Sequence, residues 1–361
     1  LVTQDGARPL PGRAVLDADT ITGSGGTWRF SDNLRSIRIV NTSPKKLLVG
    51  SLNPLATAGL PRVDLRASNA NLADFSFAIE RTVTSPRIEI ENLGRSDIEI
   101  LGTIDNPVGM TSIVNVGGSV IHGDPRFVVR THSLEMRAAE SLGSTAQRIQ
   151  VELVQAPQET IDTQRVTIVA GRDSDDNVHV QLQGLLRDPT VADFRSRVDE
   201  ITAGGVIDLQ LQAAIKQTTV TDISGYAVVT DDDSTGEISY PASYPTSGTP
   251  RPAYVGAYGK GTEEIASTYD VGATGNGRGM TAGGSLTVQA ARSAADDTRV
   301  SLTAKTNLLA AGQIDVLTNG TIAITETDGN LRIGTIRSTA GNVALEAAFG
   351  SIEDVTAETE Y

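Results

Sequence analysis

The sequence predicts an all-β fold, a parallel β-helix (β-solenoid) carrying a lateral insertion. Three observations carry this. A unit of glycine followed by alternating apolar residues recurs near the C-terminus. Gly320-Thr-Ile322-Ala-Ile324 is followed by Gly341-Asn-Val343-Ala-Leu345, and Gly329-Asn-Leu331-Arg-Ile333 by Gly350-Ser-Ile352; both pairs are 21 residues apart. Such spacing means short strands, each begun by a turn, stacked coil on coil. A second duplication lies near the N-terminus. Ile37-Arg-Ile39-Val-Asn41, Leu47-Leu-Val49 and Asn53-Pro54 are echoed 51 residues later or close to it by Ile88-Glu-Ile90-Glu-Asn92, Ile98-Glu-Ile100 and Asn106-Pro107. That distance reads as about two long coils. Finally, the chain is 39% hydrophobic but only 4% aromatic, with 36 glycines. Its core must be built from Val, Ile, Leu and Ala, which suit thin strands stacked in register.

The elements follow in order. Period-two alternation puts one face of each strand inward and the other toward solvent. After the first duplication, alternating runs occur at Val63–Leu65, Phe75–Ile79, Ser112–Asn115, Phe127–Val129, Leu134–Met136 and Ile149–Leu153. More follow at Val166–Ile168, Val178–Leu182 and Val206–Leu211. Val191, Phe194, Val198 and Ile201 fit one face of a short helix, or a strand ending at Ala203-Gly204-Gly205. From about Asp222 to Met280 the rhythm breaks. Six of the seven tyrosines and four prolines fall there. Insertions leave a solenoid at a turn and project from one side. The organisation read from the sequence is therefore coils over 1–221, a tyrosine- and proline-rich lateral insertion over 222–280, and coils of the same stack over 281–361. At roughly 21 to 26 residues per coil and about 4.8 Å per coil, the stack is a rod of roughly 12 to 14 coils. Both ends of such a rod offer open strand edges, which invite pairing with another chain.

Composition narrows the function. The formal charge of −14 disfavours nucleic acid and anionic membrane surfaces. No apolar run approaches the roughly 18 residues of a membrane span. With no cysteine, disulfides, zinc-thiolate sites and cysteine nucleophiles are excluded. The start at Leu1-Val-Thr-Gln-Asp5 and the end at Glu360-Tyr361 read as those of a segment of a longer protein.

Few residues suggest chemistry. His122, His132 and His179 stand apart, without a second ligand at metal-binding spacing. Gly275-Asn-Gly277-Arg-Gly279 lacks the flanking strand and helix of a dinucleotide loop. Gly259-Lys260 lacks the earlier glycine of a phosphate loop. Asp231-Asp232-Asp233-Ser234-Thr235-Gly236-Glu237 places oxygen donors at alternate positions with a glycine for the turn, as a calcium loop requires. Asp231, Asp233, Thr235 and Glu237 are the candidate ligands, although Ala242 stands where a bidentate carboxylate is expected. Asp173-Ser-Asp175-Asp176-Asn177 is a second acidic turn. With Arg172 it is the nearest cluster to the carboxylates of a polysaccharide-cleaving enzyme. Tyr244, Tyr254 and Tyr258 are candidate ligand-binding residues, since tyrosine offers an apolar face with a polar tip.

The stretch GTIAITETDGNLRIGTIRSTAGNVALEAAFGSIED resembles the β-helical shafts of very large secreted bacterial surface proteins, the filamentous-haemagglutinin-like exoproteins and β-strand-repeat adhesins. Asn106–Ile121 and Ser133–Val154 repeat in the same style. The resemblance implies a right-handed parallel β-helix, secreted and placed at the bacterial cell surface, serving as stalk or fibre; no catalytic signature travels with it. The expected function is a non-enzymatic stalk, spacer or filament subunit. Its expected partners are other copies or segments of the same protein joined end to end, and a surface receptor or glycan. The alternatives are a glycan-binding module using the tyrosines, and a polysaccharide lyase or hydrolase built on a β-helix.

Overall fold

A computed structural model describes residues 13–15, 26–27, 35–42, 44, 46–53, 62–65, 75–81, 87–155, 164–186, 192–216, 230–232, 237–239, 263–273, 277–290, 298–309 and 312–356. Among them there is no helix. Twenty-seven strands join one sheet, and two form a separate hairpin. The sheet is a parallel β-helix. Successive coils pair strand to strand in the same sense, and one column of side chains shows why they stack. Leu47, Ile98, Val120, Leu142, Val178, Ile207, Leu286, Ile314 and Ile333 are register partners in that order. All but Ile333 are almost wholly buried. Each rung buries one aliphatic side chain against the next, worth about 1.5–3 kcal/mol apiece. A second column, Ile39, Ile90, Ile113, Met136, Ile168, Ile201 and Met280, runs parallel to it. Both belong to one continuous core.

Polar residues enter the interior where they can be tied from coil to coil. The duplicated Asn41 and Asn92 form a ladder with Asn115. The Asn41 amide donates to Asn92 Oδ1 at 2.9 Å, and the Asn92 amide to Asn115 Oδ1 at 3.1 Å. The same side chains cap the turns that follow: Gly94 N–H donates to Asn92 Oδ1, and Asn115 Nδ2 to the Ser119 carbonyl. Asparagine serves here because its amide bonds both along the stack and back to its own turn. The recurrent glycines have a steric cause. A Cβ on Gly341 would collide with the Gly320 backbone one coil away, and one on Gly350 with that of Gly329.

The 51-residue duplication is a single step of the stack, a correction to the two coils read from its length. Ile37 and Ile88 are direct register partners. The intervening chain supplies antiparallel strands at the N-terminal end. Phe75–Arg81 pairs antiparallel with Arg35–Asn41, and Arg13–Val15 pairs antiparallel with Phe75–Arg81. In the same way Arg62–Leu65 covers Leu47–Asn53, and Gly26–Thr27 pairs with Arg62–Leu65.

Two further expectations change. Phe194–Val198 and Glu200–Ala203 are strands, so the helical option for 191–201 is excluded. Phe194, Ser196 and Val198 are buried, as are Ile201 and Ala203. The corner at Asp199 shifts the alternation by one, which leaves apolar residues three apart and imitates a helix. The C-terminal part of the 222–280 segment also lies in the stack. Ser267–Val271 is parallel to both Phe194–Val198 and Val300–Leu308, and Gly279–Ala282 to Glu200–Ala203. Glu263 is the register partner of Lys216 in an antiparallel pair. Tyr269 is therefore a core residue. It is fully buried, its ring lies 6.0 Å from that of Phe194, and its hydroxyl donates to the Gln212 carbonyl at 2.6 Å. Burial pushes its phenol well above the ordinary value.

Candidate functional site

Two of the calcium candidates, Asp231 and Glu237, sit on the separate pair of strands. Thr230–Asp232 pairs antiparallel with Glu237–Ser239, with Asp231 opposite Ile238 and Asp232 opposite Glu237. Asp233 and Thr235 lie outside the described residues, as do Tyr244, Tyr254 and Tyr258. Among the described residues, no group of three or more His, Asp or Glu side chains is placed to share a metal ion.

The acidic turn at Arg172–Asn177 is described in full, and its carboxylates do not converge. Asp176 is buried, and its Oδ2 accepts the Asp173 N–H at 2.9 Å. Asn177 Oδ1 accepts the Val206 N–H of the next coil at 2.7 Å, and the Ser141 hydroxyl of the preceding coil donates to the Asp175 carbonyl. Asp173 and Asp175 point to solvent. The turn is built as a clasp between three coils.

The three histidines act in the same manner. Nδ1 of His122 donates to the Arg148 carbonyl at 3.1 Å, and Nδ1 of His132 to the Val154 carbonyl at 3.0 Å. His122 is buried, which lowers its pKa. His179 meets Asp208 on the next coil, Nδ1 to Oδ2, at 3.3 Å. The same Oδ2 is bound by the Arg148 guanidinium from the coil before. Burial alone would raise the Asp208 carboxyl, but the His179 ring and the Arg148 charge hold it below the usual carboxylate range. This trio is a charged group tied across the stack, as is Arg130 with Asp105 and Glu152. It links three coils, and its one carboxylate is occupied by both partners.

Beside it runs an outward column of amides, Gln150, Gln181, Gln210 and Gln289, in register on four successive coils. The column continues through Leu317 to Arg337, where Thr287, Asp315 and Thr335 complete a groove of about 380 Å³. Sequence reasoning missed the trio and the column. The spacing from coil to coil changes along this ladder, so no fixed period reveals the partners.

The last described coil exposes apolar residues. Val343 continues the column of Leu302 and Ile322, both wholly buried, yet is 44% exposed. Ile352, below Leu331, is 49% exposed, and Phe349 beside them is 81% exposed. Val343 and Ile352 stand in register with buried residues of the preceding coil.

No family model matches the chain, and no curated protein or solved structure matches it either. Fold and geometry define it as a parallel β-solenoid. No described helix is long and apolar enough to cross a membrane.

Proposed function

We propose that this chain is a non-enzymatic structural segment, a stalk, spacer or filament subunit, of a secreted or cell-surface bacterial protein related in style to the filamentous-haemagglutinin-like adhesins. The observation that carries the reading is the aliphatic column maintained over nine coils, from Leu47 to Ile333. A stack held by nearest-neighbour contacts turns sequence length into axial length. The described polar groups support the same reading. Asn177, Asp208 and the histidines are engaged between coils and Asp176 within its own turn, where a hydrolase needs two carboxylates free to face one bond. Calcium at Asp231, Asp233, Thr235 and Glu237 belongs to the proposal, supported by the alternate oxygen donors of that stretch. In-frame deletion of this segment from the producing bacterium is expected to abolish cell attachment or the surface fibre. Unchanged adhesion and surface morphology would contradict the reading.

A further inference from the structure

We propose that the outward face of the mid-stack strands binds an extended, uncharged polysaccharide lying along the axis, held by a grid of glutamine amides. The inference rests on the parallel register of the stack and adds a site and a ligand class to the rod.

Placement is the first argument. Gln150, Gln181, Gln210 and Gln289 are register partners on four successive coils, and Gln183 and Gln212 stand in register with each other beside them. These six are nearly half of the 13 glutamines in the chain. The outward column that holds Arg38, Glu89, Glu135 and Glu200 shows the contrast, since it keeps its face solvated with charge. Solubility alone therefore does not account for a face given over to amides.

The amides are also free to act. Gln289 is exposed and the other five are half-buried. Gln150 and Gln183 each donate to a backbone carbonyl, of Arg148 and Ala213. Among the described residues, the amides of Gln181, Gln210, Gln212 and Gln289 have no hydrogen-bond partner. Inside the stack the same chemistry is used up internally, because the amides of Asn41, Asn92 and Asn115 bond to one another.

Spacing and charge name the ligand. Coils repeat about every 4.8 Å, and outward residues of one strand lie roughly 6.6 Å apart. An extended polysaccharide repeats its hydroxyls once per sugar at close to the coil spacing, so amides and sugars stay in step over several coils. A carboxamide sets a donor and an acceptor side by side, which suits two neighbouring hydroxyls of one sugar. Glutamine carries no charge, and the charged groups beside the grid are paired, Asp208 with Arg148 and Glu152 with Arg130. The strip gives an ionic polymer no local counter-charge and gives a neutral one a continuous row of hydrogen bonds. At one end of the column Leu317, the register partner of Gln289, is 41% exposed and adds an apolar surface for the C–H face of a sugar.

The probes are cellohexaose and β-1,4-mannohexaose, both extended and neutral, titrated calorimetrically into the full-length protein. At least one is expected to bind, with affinity rising about tenfold or more from the disaccharide to the tetrasaccharide and levelling near the pentasaccharide, because four amide coils and Leu317 set the length. Gln181→Ala with Gln210→Ala should weaken the hexasaccharide about tenfold or more while leaving the urea midpoint unchanged. Binding that this double variant does not alter would overturn the site, and equal binding of hexagalacturonate would overturn the neutral ligand. Sedimentation showing paired chains that Gln210→Lys separates would give the face to a second copy and overturn the proposal. Failure of both hexasaccharides to bind would also overturn it. In that case a Gln210→Cys to Gln289→Cys disulfide, formed in a separate full-length protein, would leave the stack standing, whereas its failure to form would remove the register as well.

Discussion

Replacing Asn92 by alanine breaks the centre of the asparagine ladder, and its cost can be worked from the bonds it makes. Asn92 is wholly buried. Its Oδ1 accepts from the Asn41 amide and from the Gly94 N–H; its Nδ2 donates to Asn115 Oδ1 and to the Ser96 carbonyl. Two acceptors keep other donors after the change, because Asn115 Nδ2 still reaches the Ser96 carbonyl and Gly117 N–H still reaches Asn115 Oδ1. The Gly94 N–H loses the partner that Asn92 supplied. Four bonds at about 0.5–1.5 kcal/mol each, together with a buried donor left unsatisfied at about 1–3 kcal/mol, place the total at about 3 kcal/mol or more, the lower end applying where the turn relaxes. Asn41→Ala removes its bond to Asn92 Oδ1 and should cost at least about 1 kcal/mol. Urea unfolding followed by far-UV circular dichroism measures the totals. Hydrogen exchange should place the loss of protection on the coils of Asn41, Asn92 and Asn115, because stability in a stack is a nearest-neighbour sum. An Asn92→Ala protein within about 0.5 kcal/mol of the parent would refute the reasoning, since that is the range of surface substitutions away from such features.

Position in the stack should decide the cost of a core truncation. Ile207→Ala, mid-column, is expected to cost about 2–5 kcal/mol, whereas Val343→Ala on the last described coil should cost less than about 1 kcal/mol in the isolated chain, both by urea unfolding. Gly341→Ala should free the last coil without unfolding the rest, seen as exchange confined to residues after Thr339, because its Cβ meets the Gly320 backbone. Glu326 has no exposed surface, and burial raises its pKa against the hydrogen bonds from Thr306 and Leu308. Its neutral form therefore contributes stability that is complete below the unfolded carboxyl value and is lost as pH rises through the higher folded value. Glu326→Gln should flatten that part of the stability–pH curve; an unchanged slope would count against it. Calcium should raise the melting temperature of the parent, and Asp231→Asn with Glu237→Gln should remove that response.

Much of the stack was legible because one repeat unit maps onto one coil. The 21-residue offset is the register itself: Ile322 faces Val343, and Leu331 faces Ile352. The Asn41 and Asn92 echo likewise marks register partners, but its length misled, since nothing in an alternating pattern tells parallel from antiparallel. The strands at Arg62–Leu65 and Phe75–Arg81 therefore read as further coils. Tyr269 was grouped with neighbouring tyrosines by composition, while its place is fixed by Phe194, from which it is 75 residues distant in sequence. The Arg148, His179 and Asp208 trio was hidden because its members are 31 and 29 residues apart, a change of spacing that only the folded register resolves. The exposure of Val343 is invisible in sequence for a simpler reason: it has the same alternating pattern as the buried Leu302 and Ile322 of its own column.

The account stands on one stack that takes in the strands before Lys216 and those after Glu263. The most direct test is the disulfide between Gln210→Cys and Gln289→Cys, register partners on adjacent coils although 79 residues apart. Parallel strands lie about 4.8 Å apart, within the Cα separation a disulfide bridges. Mass spectrometry of the oxidised, digested protein should find the two peptides joined within one chain, with stability undiminished. Two free thiols in a folded protein would show that the coils before Lys216 and after Glu263 are separate bodies, and the single rod would be wrong.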